Sequence, residues 1–228
     1  NGKMMRYWTK SMTKHREYEL RSYVELFGTR NGFLKAADAG ERSLYEPAWR
    51  LYFEVLTWHR LGQDLYSKEF LELAYATLDS WRMNIRGAKL LEFNKFQENI
   101  RVHKEEFEEL RNCRIDAVNP EQCEKAKALF RKLRIMKSGR QLVGKSKLMH
   151  FYLPNFIPII DTANTIRVVR AGRYPADEAI FFSKMLDWCR NLCKDFNLKE
   201  DDQPSTPFNQ VDLKLPLPKL IDDAIMMK

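Results

Sequence analysis

The sequence predicts an all-α protein, and three observations carry that prediction. Apolar residues recur at helical spacing wherever a period can be read, helix-start signals precede those stripes, and no alternation of strand-like with helical segments occurs. The pattern implies about eight to ten helices. With 228 residues, 44% of them hydrophobic, the chain can form one helical domain or two helical lobes, 15–115 and 119–228, around a shared core. The 31% charged fraction is that of a folded, solvated globule rather than a disordered chain.

Taken in order, Pro47 suits a first helical turn, and Ala48, Leu51, Tyr52, Val55 and Leu56 follow at the spacing of one buried face. Ser67 reads as the N-cap of a helix whose stripe is Phe70, Ala74, Leu78 and Trp81, with Gly87 interrupting the chain soon after. Asn119-Pro120-Glu121-Gln122 has the form of a capping box with proline in the first turn. It opens a helix in which Cys123, Ala126, Leu129 or Phe130, Leu133 and Met136 recur, so this helix is expected to run to about Gly139 with a basic outer face. Asp161-Thr162 starts a further helix through Ile166 and Val169. After Pro175, Phe182, Met185, Leu186, Cys189 and Leu192 form a buried stripe, with Asp187, Arg190 and Lys194 outward. Residues 200–207 read as a polar loop and 211–217 as a short extended stretch. Pro218 then opens a last helix docked by Leu220, Ala224 and Ile225.

Charge is distributed unevenly. The formal excess of +8 equals that of one window, 131–170, where nine basic residues (Arg131, Lys132, Arg134, Lys137, Arg140, Lys145, Lys147, Arg167 and Arg170) meet one acid, Asp161. Such a field attracts polyanions, nucleic acid first and acidic protein or anionic lipid after it, and its plain alternative is a solvated helical face. No apolar run approaches membrane-spanning length, and Asn1 to Lys14 holds no signal-like apolar stretch, so no membrane contact and a cytoplasmic location are expected. The cysteines (Cys113, Cys123, Cys189, Cys193) form no C-x-x-C pair, and the four histidines no H-E-x-x-H pair. Neither a metal nor a cofactor is expected; Cys189 and Cys193 read as buried thiols.

Within the basic window lie Leu142-Val143-Gly144-Lys145-Ser146-Lys147 and then Pro158-Ile159-Ile160-Asp161-Thr162. A glycine bend at Gly144 is expected to join the basic helix to a second arm, Lys145 to Phe151, in a hairpin near 125–152. Over about residues 135–170 the chain thereby resembles the helix-hairpin-helix DNA glycosylase superfamily, whose Val-Gly-x-Lys hairpin precedes a Pro-Val-Asp-Thr-like segment with the essential aspartate. Residues 77–96 and the closing Leu220 to Ile225 are similar to an uncharacterised prokaryotic set, a likeness that implies no activity. The glycosylase resemblance implies a partner in double-stranded DNA and excision of a damaged or modified base, with or without strand cleavage through a lysine Schiff base. It implies Asp161 as the catalytic carboxylate and Lys147, ahead of Lys145, as the amine nucleophile. Lys137, Arg140, Gly144, Lys145, Ser146 and Arg167 would meet the nucleic acid.

The chain departs from the superfamily pattern in three places. The interval from Gly144 to Asp161 is shorter by about one helical turn. Ile160 is an extra residue before Asp161, and Ser146 holds the place of the lyase lysine. The superfamily's clustered C-terminal cysteines have no counterpart, so no iron–sulfur cluster is expected. Ordinary readings stand beside the catalytic ones. Asp161 can be an N-cap, Lys145 and Lys147 phosphate contacts or solvated residues, His150 a packed side chain, and Trp49, Trp58 and Trp81 either core or pocket wall. Two further functions therefore stay open: a non-catalytic DNA-binding module, and a protein-interaction domain using the basic face.

Overall fold

Capping and apolar periodicity account for most of the helices in the computed structural model, which describes residues 20–41, 46–84, 89–170, 174–199 and 215–228. The helices are α1 (Tyr23–Phe27), α2 (Arg30–Glu41), α3 (Glu46–Arg60), α4 (Lys68–Ser80), α5 (Phe93–Val102), α6 (Lys104–Leu110), α7 (Pro120–Lys132) and α8 (Leu142–Tyr152). A π-helical turn, Thr162–Ile166, runs into the short α9 (Arg167–Val169), and α10 (Glu178–Asp195) and α11 (Leu217–Met226) complete the set. The protein is all-α: among the described residues the sole β pairing is one antiparallel bridge, Leu90 to Met136. No described helix is long and apolar enough to cross a membrane. The loop expected at 200–207 and most of the extended stretch at 211–217 lie outside the described residues, as does Gly87.

The caps sit where the side chains dictate. Ser67 Oγ accepts from the Phe70 amide at 3.2 Å, and Asn119 and Gln122 exchange both hydrogen bonds of a capping box. Asp177 caps α10 by accepting from the Ala179 and Ile180 amides. Buried side chains from Leu26 to Ile225 form one continuous core. At its centre is α8, buried along its length except at the half-buried Val143 and packed against α4, α7 and α10. Burial on all sides leaves no water for its polar side chains, so Lys145, Ser146, Lys147 and His150 must find their partners inside the protein.

The connection between α7 and α8 differs from the expected hairpin. Helix α7 stops at Lys132, Leu133 turns extended (φ −59°, ψ 135°), and the chain reaches α8 through residues 133–141. Met136, although at helical spacing, lies in the bridge instead, because Lys137 N–H donates to the Lys89 carbonyl and Leu91 N–H to the Ile135 carbonyl. Gly144 does not bend the chain; it is the third residue of an unbroken helix. Its lack of a side chain serves packing, since a Cβ there would stand 2.6 Å from Met136 Sδ. Gly40 on α2 plays the same part for α11, where a Cβ would meet the Asp223 carbonyl oxygen at 2.2 Å. That contact lets α11 lie close enough to α2 to carry its polar residues into the interior.

Candidate active site

Lys147 and Asp161, fourteen residues apart, meet. Lys147 is 5% exposed, and its Nζ lies 2.9 Å from Asp161 Oδ2. The ammonium also lies 5.5 Å from the centroid of the Trp81 ring. The other Asp161 oxygen, Oδ1, accepts from the Ala163 amide at 2.8 Å and caps the π-helical turn. Asp161 therefore holds its N-cap role and its lysine together. Burial opposes ionisation of this carboxyl, but Lys147 and the Ala163 and Asn164 amides outweigh it and hold its pKa below the ordinary value. Ser146, standing where the lyase lysine was sought, is fully buried and organises the approach to Asp161. Its hydroxyl accepts from the Ile160 amide at 3.2 Å, and Thr165 Oγ1 accepts from the Asp161 amide at 3.1 Å.

The pair opens on a cavity of about 650 Å³ whose walls include Trp49 and Tyr52 of α3, Trp81 after α4, Ile159, and Lys219 and Asp222 of α11. Its volume falls within the range of small-molecule sites. Tyr52 is tilted against Trp81 and stacked on His150. His150 is fully buried, with Nδ1 2.7 Å from the Ile157 carbonyl and Nε2 2.7 Å from Tyr52 Oη. A carbonyl can only accept, so Nδ1 carries the proton and Nε2 accepts from the Tyr52 hydroxyl. Burial pushes the imidazole down to about 3, which keeps it neutral, and His150 is a packing and hydrogen-bonding residue. Of the three tryptophans available for a pocket, Trp49 and Trp81 line this one; Trp58 packs on Phe70 instead.

Two polar residues of the cavity lining lack any earlier assignment: Lys219 and Asp222. On α11, Lys219, Asp222 and Asp223 stand at i, i+3 and i+4, so all three share a face. Lys219 Nζ lies 3.1 Å from Asp222 Oδ2, is paired with Asp223, and sits 5.0 Å from the Trp49 ring centroid. One cation thus serves two buried carboxylates, and burial raises both their pKa values, Asp223 to about 6. The sequence signal was there: three charges in a ten-residue helix that is otherwise almost wholly apolar, where burial forces charges to pair with one another.

The surface assigned to nucleic acid is less open than its composition implies. Lys145 does not face solvent: it is 4% exposed, its ammonium donates to the Phe130 carbonyl at 2.9 Å, and burial pushes it down to about 8. Gly144 and Ser146 are buried too, and so is Arg170. Lys137 is exposed but paired with Glu92, and Lys132 with Glu106. Arg140 is exposed, its guanidinium 4.8 Å from the Tyr174 ring centroid, and Arg167 is exposed. At the start of α8, where a phosphate was expected, the Gln141 amide donates to Glu178, at 3.0 Å from each carboxylate oxygen. A carboxylate from α10 thus occupies one backbone donor at that end.

Among the described residues no three His, Cys, Asp or Glu side chains come together as a metal site. No family model, no curated protein and no solved structure matches the chain.

Proposed function

We propose that the protein is a glycosylase-like enzyme that excises a base from double-stranded DNA, with Lys147 and Asp161 as its catalytic pair. The observation that carries the reading is the contact of a buried lysine with a carboxylate at the wall of an aromatic cavity. In such a reaction the bond from C1′ to the base nitrogen breaks, the base leaves with the electron pair, and positive charge develops on the sugar. A carboxylate fixed by its own helix amides stabilises that charge without reorganising. The C1′ centre is then captured either by water, whose proton Asp161 takes, or by Lys147 as the neutral amine after its ammonium has lost a proton to solvent, the proton released as the C–N bond forms passing to Asp161. Trp49, Tyr52 and Trp81 offer faces against which an extruded base can stack.

The hairpin amides contribute less to this reading than the composition implied, because Glu178 already holds the Gln141 amide. Contact with the sugar-phosphate strand rests instead on the exposed Arg131, Arg134, Arg140 and Arg167. Duplex affinity is expected to fall steeply between low and moderate salt, and Arg131→Glu with Arg134→Glu to weaken binding and flatten that slope. The deciding assay is base release from a panel of lesion-containing duplexes. Asp161→Asn is expected to reduce release by about 10²-fold or more while leaving duplex affinity intact. Borohydride trapping of a covalent adduct that vanishes in Lys147→Met separates amine from water attack.

The capping bond from the Ala163 amide to Asp161 favours one second reading, a DNA-binding module without catalysis. Absence of release by the wild-type protein across the panel, with salt-sensitive duplex binding retained, would establish that reading.

A further inference from the structure

A second cavity, of about 630 Å³, lies between the end of α7, residues 139–140 and the start of α10, and shares no lining residue with the first. Three cations stand on its walls, Arg131, Arg140 and Lys145, with two carboxylates, Asp177 and Glu178. The carboxylates are already engaged by the fold. Both Glu178 oxygens accept from the Gln141 amide at 3.0 Å, and one of them also accepts from the Tyr174 hydroxyl at 2.6 Å. Asp177 Oδ1 accepts from the Ala179 and Ile180 amides, each at 2.9 Å. The guanidiniums are not engaged in this way. Arg131 and Arg140 are exposed, and among the described residues neither pairs with a carboxylate. The Arg140 guanidinium is fixed at the wall by the Tyr174 ring, whose centroid is 4.8 Å away. Lys145, donating to the Phe130 carbonyl, adds positive field from behind the wall rather than a contact. Burial first and the nearby Arg134 second push its pKa down to about 8, as positive charge crowded at one place requires.

We propose that this second cavity binds a phosphate monoester, the terminal phosphate of a small molecule or of a strand end, with Arg131 and Arg140 as its direct contacts. A guanidinium presents its N–H groups as a planar fork that matches two phosphate oxygens at once. A monoester carries about 1.5 to 2 negative charges at neutral pH, against one on a diester or a carboxylate, so the same cations hold it more tightly. Concavity favours it as well. Walls from three segments can close around a group at the end of a molecule, whereas an internal diester must leave the site on both sides. The volume leaves room beyond the phosphate for part of the molecule that carries it. Asp177 and Glu178 oppose an anion, but the donors packed on both carboxylates blunt that repulsion. The site goes beyond the excision reading, since it uses neither Lys147 nor Asp161.

The test uses the full chain at moderate salt and two matched pairs of probes, with affinity read by calorimetry. Ribose 5-phosphate is compared with ribose, and a short duplex with 5′-phosphate ends is compared with the same duplex ending in 5′-hydroxyls. Both duplexes share their internal phosphates, so strand contact through the same arginines cancels. In at least one pair the phosphorylated member is expected to bind at least about tenfold more tightly. Preference in the sugar pair assigns the phosphate to a small molecule, and preference confined to the duplex pair assigns it to a strand end. Arg131→Gln combined with Arg140→Gln is expected to erase the preference; both side chains are exposed, so the fold does not depend on them. Arg82→Gln, an exposed position on the lining of the first cavity, is expected to leave it intact. No preference in either pair with the wild-type protein, a preference that survives the double substitution, or one that disappears in Arg82→Gln would overturn the proposal. The wild-type comparison needs no variant to fold.

Discussion

Substituting alanine for Gly40 tests how the α11 residues reach the site. A Cβ at this position would lie 2.2 Å from the Asp223 carbonyl oxygen, 2.7 Å from its carbonyl carbon and 3.0 Å from its Cα. All three are backbone atoms of α11, so no side-chain rotation relieves the overlap, and the two helices must separate by about 1 Å to reach ordinary contact. Overpacking of this kind costs about 1–3 kcal/mol, and the backbone character of the obstacle places Gly40→Ala at the upper end. Alanine returns about 1 kcal/mol through its better helix propensity, which leaves a net loss of about 2 kcal/mol. The same displacement moves Lys219 and Asp222 relative to Lys147 and Asp161, and a misplacement of about 1 Å can cost about 10²-fold in rate. Urea unfolding followed by circular dichroism measures the first effect, and base release measures the second. A Gly40→Ala protein as stable as the wild type, with unchanged activity, refutes the close approach of α2 and α11 and the positioning argument built on it.

The remaining predictions concern the buried polar groups. Burial holds Lys145 at about 8 against an ordinary 10.5, so between those values the unfolded chain binds a proton that the folded protein has released, and this group adds stability as pH rises. Unfolding free energies of wild type and Lys145→Met should diverge over about pH 8 to 10.5, with the wild type gaining by up to about 3 kcal/mol; parallel curves would remove the buried placement. Tyr52→Phe leaves the fully buried His150 Nε2 without a donor and should cost about 1–3 kcal/mol in urea unfolding, and a change near zero contradicts the tautomer. Asp223, raised to about 6 by burial, takes up its proton on the folded side first. Its contribution to stability is complete below the ordinary carboxylate range, declines as pH rises from there to about 6, and is lost above that; Asp223→Asn should flatten the curve in that window.

Most helices were legible because their signals are local. The capping box at Asn119 to Gln122 and the cap at Ser67 depend on residues three apart, and apolar stripes report burial directly. The end of α7 was not legible, because its cause is a pairing of residues 135–137 with 89–91, about 46 positions away. Gly144 invited a bend on its conformational freedom, while its physical reason, the Met136 sulfur beside it, is invisible in sequence. Lys145 and Lys147 were ambiguous for a geometric reason that sequence could state but not resolve. Residues two apart on a helix point about 200° apart, so only one of them can face Asp161. The structure sends Lys145 to the Phe130 carbonyl and Lys147 to the cavity. Basic composition misled in one further respect, since it counts cations without showing which are buried and which are matched by Glu92, Glu106 or Glu178.

The single tautomer of His150 has a consequence for how the protein meets a ligand. One ring ties together the helix that carries Lys147, the segment leading to Asp161 through the Ile157 carbonyl, and the helix that carries Trp49 and Tyr52. Because a neutral imidazole with both nitrogens engaged has no second arrangement of equal worth, Lys147, Asp161 and the aromatic wall of the cavity are held in mutual alignment. A site aligned in this way has little ordering left to do, so a molecule that fitted it would spend little of its affinity on assembling it.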